Sequence, residues 1–260
     1  MNGAVVLLAR LLPALLGMLG LAAWEALVRV YAIPPYVLPG PLLIAETLRQ
    51  EAPDLLAALA ATLQVALAAL ATATVVGLLL SVLLVQSRLL ERSVYPWLVT
   101  LQVTPVVSIA PLILIWADDV FAALLICATV VAFFPIVANT VHGLRSVDPG
   151  LAELFRLYGA SRWRTLVHLQ LPTALPAFLG GVRIAGGLSL VGAVVAEFVA
   201  GTGGTRSGLA GRILEAGYRL QIPRMFAALL LLALAGIVLH AALGLVTRAL
   251  LRHRPVAGER

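Results

Sequence analysis

The chain has 260 residues, of which 62% are hydrophobic and only 12% charged, with a formal net charge of +6 and a mean hydropathy of +1.04. That balance lies outside the soluble globular range and points to a lipid bilayer. Every basic residue is Arg and most lie between apolar runs, so the positive charge gives no argument for nucleic-acid binding, while the single cysteine, Cys127, excludes an intrachain disulfide and a Cys-cluster metal site.

About 20 apolar residues cross the ~30 Å hydrocarbon layer, and on that measure six spans are predicted. Residues 11–30 form the first. Glu25 stands near its end, and with no small-residue cleavage site before a polar sequence it reads as an uncleaved anchor. Residues 55–86, 93–117, 120–141 and 225–246 contain no Asp, Glu, Lys or Arg. Residues 175–199 form the fifth span despite Arg183, two Gly-Gly pairs and Glu197. The expected fold is an all-α membrane protein of about six transmembrane helices, with residues 1–260 as a single transmembrane domain.

An even number of spans puts both termini on one side, and the Arg distribution selects the inside. The inner segments then hold Arg10, Arg88, Arg92, Arg145, Arg156, Arg162, Arg164, Arg248, Arg252, Arg254 and Arg260. The outside holds Arg29, Arg49, Arg206, Arg212, Arg219 and Arg224, along with Glu46, Glu51, Asp54, Asp118 and Asp119. The loop of residues 201–224 is the misfit, because its four Arg favour the inside.

The inner segment of residues 142–172 is too polar to span and too patterned for a slack loop. Asp148-Pro149 is a cap and first-turn signal. Leu151, Leu154, Phe155 and Tyr158 fall at i, i+3, i+4 and i+7, one apolar stripe on a short helix. Gly159 ends it, Ser161 starts a second helix through Trp163, Leu166 and Leu169, and Leu171-Pro172 closes that one. Such a pair fits a groove on a soluble partner; the residues leave open an amphipathic helix lying on lipid headgroups.

Glu153, Gly159, Leu169, Leu171 and Pro172 stand at the spacing Glu, five residues, Gly, nine residues, aliphatic-x-Leu-Pro. This resembles the coupling loop of permease subunits of bacterial binding-protein-dependent ABC importers of type I, with Glu153-Leu154-Phe155 in place of the usual Glu-Ala-Ala. Tyr36-Val37-Leu38-Pro39-Gly40-Pro41, Thr104-Pro105-Val106-Val107, Ala110-Pro111-Leu112 and Ala193-Val194-Val195-Ala196-Glu197 extend the likeness to the subfamily for sulfonates, taurine, nitrate, thiamine-precursor pyrimidines and riboflavin. That subfamily's Trp-Phe-Gly after the third span is replaced by Trp116-Ala117-Asp118-Asp119.

The resemblance implies a cytoplasmic coupling-helix pair in which Glu153, Leu154, Phe155, Tyr158, Gly159, Ala160, Leu169, Leu171 and Pro172 meet an ABC ATPase subunit pair. It also implies a second permease copy, a periplasmic or lipid-anchored solute-binding protein, a bacterial inner-membrane location, and ATP and Mg bound by the ATPase with no cofactor in this chain. Residues 133–141 and 201–209 look more like permeases for pyrimidine or flavin precursors. An importer of aliphatic sulfonate, taurine or nitrate is the alternative, and a secondary transporter or channel a further one.

Gln64, Gln102, Thr104, Ser108, Asn139 and Ser189 are the polar groups in the spans that can line a pathway, and each also suits helix-to-helix bonding. Glu197 must face water, protein or the interface. It is expected to bond the following outer loop and fix a gate, with substrate contact as the alternative. Arg183, fourteen residues earlier and about 21 Å away at helical rise, is expected to snorkel toward the cytoplasm. Pro105, Pro111 and Pro135 interrupt backbone bonding within two spans.

Residues 208–220, within the periplasmic loop 201–224, put Leu209, Ile213, Ala216 and Leu220 on one face and Arg212, Glu215 and Arg219 on another. That pattern predicts an amphipathic helix with a Glu215–Arg219 pair. Enzyme inventories fail: there is no Gly-x-Ser-x-Gly, no His-Glu-x-x-His and no phosphate loop with Gly-Lys-Ser/Thr. His142, His168, His240 and His253 show no metal-ligand spacing.

Overall fold

The computed structural model describes residues 3–201 and 207–252, with side chains from residue 12 onward. Residues 202–206, Arg206 among them, His253, Arg254, Arg260 and the side chain of Arg10 lie outside the described residues. Every regular element among the described residues is a helix.

Three long helices make the core: α3 (Ala52–Gln86), α6 (Val120–Arg145) and α9 (Leu171–Ala200). To number in chain order, α1 is Gly3–Val30, α2 Pro41–Gln50, α4 Arg88–Val103, α5 Val106–Trp116, α7 Pro149–Leu157, α8 Arg162–Thr165, α10 Leu209–Tyr218 and α11 Ile222–Leu251. Lipid tails are as apolar as leucine, so burial alone does not drive spans together. Close backbone approach and dispersion do. The α6–α9 seam is built for that, with Ala128, Ala132, Ala185 and Ala193 all fully buried along it. A Cβ at Gly192 would meet the Ala128 Cα at 2.9 Å, and one at Gly181 the Pro135 carbonyl oxygen at 2.9 Å.

Five helices among the described residues are long and apolar enough to cross a membrane, and the α4–α5 pair makes a sixth if it counts as one span. The expected continuous third span over residues 93–117 is thereby corrected, since α4 and α5 meet at 99°. Pro105 causes the break. Its ring disfavours helical backbone at the preceding residue and it has no N–H to give. Thr104 and Pro105 are accordingly extended, at ψ 122° and 112°.

The segment of residues 142–172 needs a second correction. α7 forms as expected, but the second helix does not close at Leu171-Pro172. α8 passes through a π-helical turn, Leu166–Gln170, straight into α9, giving 39 helical residues from Arg162 to Ala200. Widening the turn by one residue makes room for the proline ring, which would strike the carbonyl four residues back in a regular α-helix.

The helix α2 was not foreseen. Gly40-Pro41 starts it, and Glu25 of α1 supplies the acceptor its N-terminus needs, taking a bond from Leu42 N at 3.2 Å. The same carboxylate takes a 2.6 Å bond from Arg29, and Trp24 stacks obliquely on Phe226 of α11 at 6.1 Å. These contacts explain a charge near the end of an otherwise apolar first span.

Candidate functional site

Three features stand out along the bundle axis: an apolar cleft at the α4–α5 corner, a polar latch at the α10 end, and the exposed α7 at the opposite end.

The cleft encloses about 390 Å3 between the broken span, α6 and α9. Gln102 and Thr104 bring polar atoms to it, Val131, Phe134 and Val191 belong to its apolar wall, and among the described residues no charged one lines it. Thr104 Oγ donates to the Thr100 carbonyl at 2.8 Å, so its hydroxyl proton is occupied. The Gln102 amide is exposed. Gln102 and Thr104 are thus the two pathway candidates that the fold brings together. Gln64 and Ser108 are exposed elsewhere on α3 and α5. Ser189 is buried and donates to the Gly186 carbonyl at 3.0 Å. Asn139 donates to the Pro135 carbonyl at 2.8 Å.

The latch centres on Glu197, only 5% exposed. Its carboxylate accepts from Ala210 N at 3.1 Å and faces the Thr62 hydroxyl at 3.1 Å. Thr62 in turn accepts from Leu209 N at 2.9 Å. The first two residues of α10 therefore find their acceptors on α9 and α3, because the residue before them, Gly208, has no side chain to offer. An anion at a helix N-terminus is favoured both by the bonds and by the helix dipole. Glu197 is engaged in holding the N-terminus of α10 and is not among the residues lining the cleft.

Around the latch, α10 docks its Leu209 and Ile213 into a cluster with Ile44, Leu55, Ala227 and Ala228, and its Ala216 is fully buried. Leu220 departs from the expected apolar face: it lies past the helix end at φ 55° and is exposed. The Arg219–Glu215 pair forms at 3.0 Å. Sequence reasoning missed the rest of the network. Arg224 reaches Glu51 at 2.6 Å and Asp54 at 2.7 Å, and Arg212 reaches Asp54 at 2.7 Å and Glu215 at 3.0 Å. The signal was available as opposite charges on two segments that hydropathy places at one end.

At the other end, Asp148 accepts from Leu151 N at 3.0 Å and starts α7. Ala160 N bonds back to the Phe155 carbonyl at 2.9 Å around Gly159 at φ 67°, a closing geometry that suits glycine. Ser161 accepts from Arg164 N at 3.3 Å. No residue of α7 is buried. Leu151, Leu154 and Tyr158 are exposed, the last at 84%, while Phe155 and Ala160 are half-buried and Glu153 points outward. Leu169 is buried, whereas Leu171 and Pro172 are half-buried within the turn into α9. Arg183 lies 2.8 Å from His240 Nε2 and packs over Gly244 of α11.

Helix content, spans and cleft define a multi-pass α-helical membrane protein. The profile of the family described as binding-protein-dependent transport system inner membrane component matches residues 73–252, and the chain belongs to that family, the permease subunits of ABC transporters. It is 38% identical to a riboflavin transport system permease of Chloroflexus aurantiacus, over 90% of this chain and 87% of that one. A formylaminopyrimidine transport permease of Halalkalibacterium halodurans is 33% identical, over 93% and 95%. A putative aliphatic sulfonates transport permease of Bacillus subtilis is 30% identical, over 94% and 86%. The fold is shared with a chain of an amino acid ABC transporter crystallised with histidines, at a TM-score of 0.64 and 17% identity, covering 78% of this chain and 96% of that one.

Proposed function

We propose that two copies of this chain form the pathway of an ATP-driven importer, with α7 of each gripped by an ATPase subunit that binds ATP and Mg. One observation carries the reading. The helix that starts beside α7 at Arg162 runs unbroken to Ala200, past the cleft wall at Leu188, Val191 and Val195, and reaches the latch at Glu197. A push on α7 is therefore delivered along one stiff rod to both cleft and latch.

Residues 142–172 are the coupling segment and 201–224 the face that receives a solute-binding protein. Leu154, Phe155 and Tyr158 supply the grip, Asp148 and Gly159 fix its shape, and Leu169, Leu171 and Pro172 root it in the rod. Both termini lie in the cytoplasm. That orientation rests on the Arg distribution of the inner segments, against which the Arg of the 201–224 loop still stand.

The solute is a neutral planar heterocycle of the pyrimidine or flavin kind. An uncharged apolar cleft with one free amide, Gln102, suits an aromatic ring with a few hydrogen-bonding edges. A sulfonate or nitrate calls for cationic donors, and the residues lining this cleft include none. The test is uptake into proteoliposomes that hold the chain, its ATPase and its binding protein. ATP-dependent uptake of riboflavin or formylaminopyrimidine supports the reading; uptake of alkanesulfonate alone, or gradient-driven uptake with no ATPase, overturns it.

A further inference from the structure

A second cavity, of about 570 Å3, opens where the α3–α4 corner meets the end of α6, α7 and the π-helical turn. Its polar lining is Arg88, Glu91, Arg92, Arg145, Thr165 and Gln170. Glu91 pairs with Arg145. Among the described residues, neither Arg88 nor Arg92 has a carboxylate partner. The concavity thus carries two uncompensated guanidinium groups, and like charges crowded in a concave wall raise the potential and draw an anion.

We propose that this cavity binds a phosphate-bearing anion. Guanidinium forks match phosphate oxygens two by two, and Thr165 and Gln170 add a hydroxyl and an amide. The position suits a phosphate as well. α3 is the apolar span that ends at Gln86, so Arg88 sits at the level where headgroups begin. On α4, Leu89 is 78% exposed and Trp97 73%, as on a helix lying in the interface. Leu144 and Leu169 give the floor an apolar part that a bare anion would leave dry. The phosphate comes either from an anionic phospholipid or from a soluble phosphate compound.

Occupancy has a mechanical consequence. The walls belong to the corner of α4, to α7 through Ala152, and to the root of the long helix through Thr165 and Gln170. A bound phosphate ties these three together and sets how far α7 moves against the bundle.

The purified full-length chain in neutral detergent tests the idea by native mass spectrometry with phosphatidylglycerol and phosphatidylcholine, and by thermal shift with inorganic phosphate and ATP. The variants are Arg88→Gln with Arg92→Gln, the Lys equivalents, and Arg248→Gln with Arg252→Gln as a control removing two charges from α11 and its end. The wild type is expected to hold phosphatidylglycerol at least about tenfold more tightly than the Gln pair. The Lys pair retains most of that binding, the control is unchanged, and phosphatidylcholine does not discriminate. If inorganic phosphate or ATP shows the Arg88 and Arg92 dependence and phosphatidylglycerol does not, the site takes the soluble anion. If no phosphate compound distinguishes the wild type from the Gln pair, or the control loses as much, the proposal is wrong.

Discussion

Glu197 and Thr62 stand 135 residues apart in the chain, yet their side-chain oxygens lie 3.1 Å from each other and between them hold the first two backbone N–H groups of α10. Removing the carboxylate with Glu197→Ala strips Ala210 N of its acceptor and leaves the Thr62 hydroxyl only the longer 3.3 Å bond to the Ala58 carbonyl. The expected loss is about 3 kcal/mol of stability, read as thermal unfolding of the purified chain. Glu197→Gln keeps the shape and loses about 1–2 kcal/mol. In a double-mutant cycle with Thr62→Val the two changes are non-additive by roughly 0.5–2 kcal/mol, and additivity would mean the latch is not a unit.

Gly208 leaves no spare room beside that latch. A Cβ placed there would overlap a Glu197 carboxylate oxygen. Gly208→Ala is therefore expected to destabilise by about 1–3 kcal/mol, and the loss shrinks in a Glu197→Ala background, where the obstructing carboxylate is gone.

Arg224 bridges Glu51 and Asp54 while only 15% exposed, against 35% and 40% for its partners. Arg224→Ala leaves Glu51 without its cation and Asp54 with Arg212 alone, and solvent screening holds the expected loss to about 1–2 kcal/mol. The unfolding temperature of the variant rises toward that of the wild type as salt is added, a trend that a pure packing defect would not show.

Val191 lies on the cleft wall and is exposed. Val191→Trp fills part of the cavity without touching α7. Uptake is expected to fall while ATPase co-purification stays at the wild-type level; loss of both would place Val191 in the fold rather than the pathway.

Much of this architecture was legible in the sequence because hydropathy and capping act locally. The four charge-free runs, the Asp148 and Ser161 caps, the Gly159 turn and the 3.6-period face of α10 each follow from a handful of neighbouring residues. Glu197 stood out because a carboxylate within an apolar span, even near its end, must find partners. Its partner Thr62 did not, since pairing across 135 residues depends on which faces of α3 and α9 meet. The 99° corner at Thr104-Pro105 was half legible: the proline announced an interruption, but the angle is set by what α4 and α5 pack against. The run through Pro172 into α9 was misread because a π-helical turn, which absorbs the ring, leaves no mark in composition. Helix α2 was missed because its N-terminal acceptor, Glu25, comes from another helix.

The most direct measurement for the central claim is retention of the ATPase by α7 variants that leave the bundle intact. Leu154 and, just past the end of α7, Tyr158 are exposed, so Leu154→Asp with Tyr158→Asp leaves thermal unfolding close to wild type. Gly159→Val, which forces a β-branched residue to φ 67°, strains the turn by about 1–2 kcal/mol without opening the core. Under the account both variants lose the co-purifying ATPase and ATP-driven uptake while remaining folded. Full ATPase retention and full uptake in folded Leu154→Asp, Tyr158→Asp protein would contradict it.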